Sequence, residues 1–171
     1  GFFNWLACHH LDLLTYITGE SVTAVSARVG NYGKTVAAVE DGGSAILDLS
    51  GGGLATFTGG YWHPRWMNDI RWTIRGTQRW VHWDPGRANT GGVLEIHGPQ
   101  PQFMAMEETF ELPVDDTTGY GGKAMVALLI DWIRAIGEGG DCRNTPESTV
   151  TVLETIDSIY QSSENGHRVK I

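Results

Sequence analysis

Cys8-His9-His10-Leu11-Asp12 is the first stretch of the chain whose residue types invite chemistry. An imidazole exchanges a proton near neutral pH, which suits it to act as a general base or acid. His9, Leu13 and Ile17 fall at i, i+4 and i+8, so a helix stacks them along one face, and that face is expected to point inward. On such a face the competing reading of His9 is a hydrogen-bonded core histidine. Successive helical residues diverge by ~100°, so His9 and His10 do not converge on one ion; no metal site is expected.

Two further clusters carry polar and aromatic groups together. Tyr61-Trp62-His63-Pro64-Arg65-Trp66 sits where a strand gives way to a loop, and it fits either a sugar pocket or a subunit interface. Aromatic faces stack on rings and polar tips bond hydroxyls, but Trp, Tyr and Arg are also enriched between subunits. Gly119-Tyr120-Gly121-Gly122-Lys123 precedes a strongly periodic helix, and Tyr120 with Lys123 reads as a substrate clamp or as a flexible lead-in. Trp72, Trp80 and Trp83 alternate with polar residues through a hairpin, as sheet-face packing or a shared dimer surface would require.

The elements that must position these residues follow from the apolar period. A short helix runs from Leu6 to Ile17 and closes at Gly19. Period-two stretches between Ser21 and Pro113 predict strands, among them Val22 to Val29, Ala45 to Leu49, Leu54 to Phe57, Trp80 to Trp83 and Val93 to Ile96. Their separators, such as Asp41-Gly42-Gly43 and Ser50-Gly51-Gly52-Gly53, read as turns. Gaps this short join antiparallel neighbours. Met125, Leu128, Leu129, Trp132, Ile133 and Ile136 restore the helical spacing from Lys123 to Gly137, and a final helix opens near Asn144-Thr145-Pro146 and ends at Gly166. Arg168 to Ile171 adds a terminal strand. The order predicts an α+β class, a mostly antiparallel β-sheet with helices packed on one face, drawn as one domain over residues 1–171.

Composition narrows the partners. A net charge of -8 without a Lys/Arg cluster lacks the basic footprint that nucleic acid demands. No apolar run approaches the ~20 residues that cross a bilayer, so no membrane partner is expected. Cys8 and Cys142 lie far apart without CxxC spacing, which fits a reducing cytoplasm. The opening Gly1-Phe2-Phe3-Asn4-Trp5-Leu6 runs straight into an amphipathic pattern, as an excised piece of a longer protein would.

Several segments in this order resemble the C-terminal domain of the Gfo/Idh/MocA family, named for glucose-fructose oxidoreductase, inositol dehydrogenase and MocA. They are Cys8 to Gly19 as the H-x-x-D helix, Val22 to Val29 as the next strand, Ile74-Arg75-Gly76-Thr77 as the I-x-G-T step, Ala135 to Gly139 as a helix end and Ile156 to Ser163 as the last helix. The resemblance implies a dihydrodipicolinate-reductase-like C-terminal domain whose open sheet face packs in a homo-oligomer. It also implies an N-terminal Rossmann domain, absent from this chain, that holds NAD or NADP and supplies a catalytic lysine. Lys34, Lys123 and Lys170 are the only lysines here, none in the Glu-Lys-Pro setting of the family. No glycine series of the chain forms G-x-G-x-x-G between a strand and a helix, so no cofactor-binding residue is assigned within it.

By the same resemblance His9 becomes the candidate catalytic residue, facing a nicotinamide, and a sugar, inositol or related polyol becomes the substrate. Removing a hydroxyl proton as hydride leaves carbon needs a base of this kind. The family places an aspartate one helical turn earlier, where this chain has Trp5. Trp5, His63, Arg65, Tyr120 and Lys123 are the candidate substrate-binding residues. The intact subunit is expected to be a dehydrogenase and the isolated chain inactive. The alternative is a non-catalytic assembly or ligand-binding module with a decayed site, which Trp5 at the carboxylate position permits.

Overall fold

A computed structural model describes residues 1–34, 36, 38–62, 70–87, 90–98 and 106–171. Their contacts divide the chain into two compact units, Gly1–Trp62 with Asp141–Ile171, and His63–Gly140.

In the first unit a π-helical stretch, Phe3–Ala7, leads into α1 (Cys8–Thr18), followed by β1 (Val22–Gly30), β2 (Gly42–Leu49) and β3 (Leu54–Gly60). The sheet runs β3-β2-β1 and is completed beside β1 by the chain's last strand, Val169–Lys170; every pairing is antiparallel. The third helix of the chain, Pro146–Asn165, lies against β1. Thr145 caps it, its hydroxyl accepting the Ser148 N–H at 3.2 Å while the Ser148 hydroxyl accepts the Thr145 N–H. Val25, Leu47, Ile156, Ile159, Leu11 and Phe3 share one core, each at most 2% exposed. Burying side chains of this size stabilises by about 1.5–3 kcal/mol apiece, which is what holds helix against sheet.

The inward stripe of α1 differs from the expected one. Phe3, Ala7 and Leu11 are buried and Leu14 packs beside them, while His9 and Ile17 are exposed. The stripe begins at Phe3, ahead of the run from Leu6 that defined the period, and His9 is two residues from Leu11, roughly 200° around the helix. Gly42 and Gly43 also depart from the turn expected of them. They lie inside β2, opposite Gly60 and Gly59. A Cβ on Gly42 would stand 2.4 Å from the Gly59 carbonyl oxygen and 2.3 Å from the Trp62 ring, so close approach rather than turning requires glycine there.

The second unit holds β4 (Trp72–Arg75), β5 (Trp80–Asp84), β6 (Val93–His97) and β7 (Met106–Glu111), an antiparallel meander in that order. Trp72 pairs with Trp83, their rings 6.4 Å apart, whereas Trp80, three residues from Trp83 and so on the opposite face of the strand, stacks on His97 at 3.7 Å. Arg79 reaches Glu107 on the edge strand at 2.7 Å. The helix α2 (Gly122–Glu138) also belongs to this unit, and none of its residues is buried. The last helix is therefore α3 and the last strand β8.

Candidate functional site

The start of the π-helical stretch that leads into α1 is fixed by one carboxylate. Glu40 Oε1 accepts the Phe3 N–H at 3.0 Å and the Tyr160 hydroxyl at 2.8 Å, and Tyr160 accepts in turn from Asn4 Nδ2 at 3.2 Å. Burial, and then the hydrogen bond to Glu40, push the Tyr160 phenol far above its ordinary range, so it remains a neutral donor. The Cys8 N–H donates to the Phe3 carbonyl, an i to i−5 bond that widens this turn. Such π turns recur where helices carry function.

With Phe2, Phe3 and Ala7 pressed into the core, the opposite side of the same turn faces outward. Trp5 is 73% exposed, and His9, one turn later, is exposed as well. A ring in that position is open to a ligand, unlike the buried core histidine that was its alternative. His10 takes the packing role: it lies 6.1 Å from the Phe57 ring, and burial, reinforced by His9, lowers its pKa.

In the second unit Tyr120 is 91% exposed and Lys123 exposed at the first turn of α2. Asp115, which is not among the candidate residues of the sequence, organises this segment. Its Oδ2 accepts the Lys123 N–H at 2.7 Å and its Oδ1 the Thr117 N–H at 3.0 Å. Asp115-Asp116-Thr117 has the form of an Asx-turn, the one signal that could have revealed it. Trp5 and His9 thus share one helix face, and Tyr120 stands just ahead of the helix turn that carries Lys123. His63 and Arg65 lie outside the described residues.

The glycine-flanked start of α2 and the Gly51 turn do not read as a pyrophosphate cradle. A pyrophosphate needs free backbone N–H groups at a glycine-flanked helix start. Here the α2 start is taken by Asp115, the α3 start by Thr145 and Ser148, and the Gly51 N–H by the Glu20 carboxylate at 2.8 Å. No group of three His, Cys, Asp or Glu among the described residues is disposed to hold a metal ion.

A family model described as the oxidoreductase family, C-terminal alpha/beta domain, matches residues 1–171. The chain belongs to the Gfo/Idh/MocA oxidoreductase family. Solved structures of similar fold include the aldose-aldose oxidoreductase from Caulobacter crescentus complexed with glycerol, at 22% identity and a TM-score of 0.75, covering 100% of this chain and 48% of that one. An oxidoreductase domain protein from Kribbella flavida matches at 18% identity and a TM-score of 0.81, over 100% and 51% of the two chains. Levoglucosan dehydrogenase in complex with NADH matches at 19% identity and a TM-score of 0.80, over 98% and 49%. This Gfo/Idh/MocA domain therefore spans about half the length of the solved structures it matches. No curated protein matches it. The family's α+β architecture is the one expected of the sequence.

Proposed function

We propose that this chain is the substrate-side domain of an NAD(P)-dependent dehydrogenase of a sugar, inositol or related polyol. The observation that carries the reading is the outward-facing His9 on the family's H-x-x-D helix, one turn from an exposed tryptophan. Relatives of this fold have been crystallised with NADH and L-sorbose, with NAD+ and L-tartaric acid, and with glycerol, which supports a hydroxylated substrate and a nicotinamide partner.

In this reading His9 takes the proton of the reacting hydroxyl or returns it, and Trp5 lies against the apolar face of the ring. Tyr120, Lys123, His63 and Arg65 are the further substrate-binding residues of this proposal. NAD or NADP is held by a Rossmann domain outside this chain, and the chain alone is inert. The outer face of the first sheet, with Ser26, Arg28, Ser44, Ile46, Thr56 and Thr58, supplies the surface for a homo-oligomer. Two free cysteines, Cys8 and Cys142, suit a reducing cytoplasm.

The test is made on the full-length protein with D-glucose, levoglucosan and myo-inositol, each with NAD+ and NADP+. His9→Ala is expected to lower kcat by about 10²–10⁴-fold with far less change in KM. Unchanged turnover would remove the proton-transfer role. Trp5 at the family's carboxylate position favours one rival, a binding module without catalysis. Titrating the full-length protein with NADH separates the two, because a decayed module has no need to quench or shift nucleotide fluorescence.

A further inference from the structure

Between the edge strand β7 and α2 the chain crosses a loop that ends in Gly119-Tyr120-Gly121 and runs into Gly122-Lys123, the first residues of the helix. Gly119, Gly121 and Gly122 have φ of 107°, 78° and 54°, the left-handed region that glycine adopts without strain. Three such residues around one exposed tyrosine make a segment with many alternative paths. Gly121 at the helix N-cap has no side chain with which to close the first turn.

Asp115 supplies what the glycines lack. One carboxylate oxygen closes an Asx-turn to Thr117 and the other reaches across eight residues to the Lys123 N–H at the helix start. A Cβ on Gly122 would stand 2.2 Å from the same Asp115 oxygen, so the backbone passes directly against the carboxylate. The two backbone bonds, with the Lys123 charge adding to them, hold the Asp115 carboxyl below its usual range, as strong acceptance by the ionised form requires.

We infer that Asp115 is the positioning residue for Tyr120 and Lys123, fixing the loop in which they meet the substrate. The inference rests on the proposed reading that Tyr120 and Lys123 contact a sugar or polyol. A loop ordered in advance costs less to bind through than one that must be ordered by the ligand. Release of the loop therefore weakens ground and transition states alike, which raises KM and leaves kcat in place.

The experiment uses the full-length protein and whichever of D-glucose, levoglucosan and myo-inositol it oxidises fastest. Asp115→Ala is expected to raise KM roughly tenfold with kcat within about twofold, and to speed amide hydrogen exchange at Thr117 and Lys123. Asp115→Asn keeps one neutral acceptor and falls between, about threefold in KM. It also serves as the gentle variant should the alanine protein fold poorly. Unaltered exchange at the two amides in Asp115→Ala overturns the inference. So does faster exchange with unchanged KM, provided that Tyr120→Ala raises KM, for then Tyr120 binds substrate without being held. Should Tyr120→Ala also leave KM unmoved, or should none of the three sugars be turned over, the underlying reading falls and takes this inference with it.

Discussion

Ser162 completes the pairing of Ala27. The strand β8 pairs only with Ala24 and Val25, and beyond it the Ser162 hydroxyl accepts the Ala27 N–H at 3.0 Å and donates to the His167 carbonyl at 2.8 Å. Ser163 repeats the device one step along, accepting the Val29 N–H at 2.9 Å. The end of α3 thus acts as a substitute strand and closes an edge that would otherwise be open to foreign pairing.

Ser162 is 1% exposed, so removing its hydroxyl takes from the half-buried Ala27 N–H and from the His167 carbonyl the partner each has in the fold. Ser162→Ala should destabilise by about 1–2 kcal/mol, since each hydrogen bond lost contributes on the order of 0.5–1.5 kcal/mol. Urea denaturation measures it. A loss near zero would mean that the bonds carry no weight in the fold.

Tyr160 gives the protein a characteristic alkaline response. Burial and Glu40 raise its phenol above the ordinary 10.0, so the folded state holds this proton more tightly than the unfolded chain. The stability it contributes is complete below pH 10 and is lost as pH rises toward the folded value. Tyr160→Phe has no proton to lose, and its unfolding midpoint should fall less steeply than the native one above pH 10. Parallel slopes would contradict the bond to Glu40.

His10 acts on the acid side. Burial against Phe57, and then the neighbouring His9, lower its pKa below 6.5, so the unfolded chain takes up the proton first. Its contribution is complete above pH 6.5 and declines as pH falls through the lowered value. His10→Gln should lose less stability than the native chain between pH 7 and pH 5, and His9→Gln should show a smaller change of the same sign. Thermal melts across that range decide it.

Gly42 tests the close approach of β2 and β3. Its absent Cβ would meet the Gly59 carbonyl oxygen at 2.4 Å, a backbone atom that cannot rotate away. Gly42→Ala should cost about 1–3 kcal/mol as an overpacked site. An unchanged melting temperature would show that the strands part without penalty.

Local patterns already determine much of this molecule. Alternation marks β1 and β3, three-and-four spacing marks α2 and α3, and Gly19, Gly139 and Gly166 close their helices with φ near 70°. Thr145 caps α3 where the sequence places its opening, beside Pro146. These features are legible because they depend on neighbours three or four residues away. The family is legible for a related reason: its motifs are short, and their order survives in the chain.

Only the tertiary structure decides the rest, because those features need partners remote in sequence. The burial of Phe3 rotates His9 to the outside. Glu40 finds Tyr160 across 120 residues, and Ser162 finds Ala27 across 135. Gly42 reads as a turn residue until Trp62 and the Gly59 backbone are seen against it. Composition and spacing supply the parts of the site, but which way a helix faces is settled by the sheet it packs on, and that sheet is assembled from segments that no local window contains.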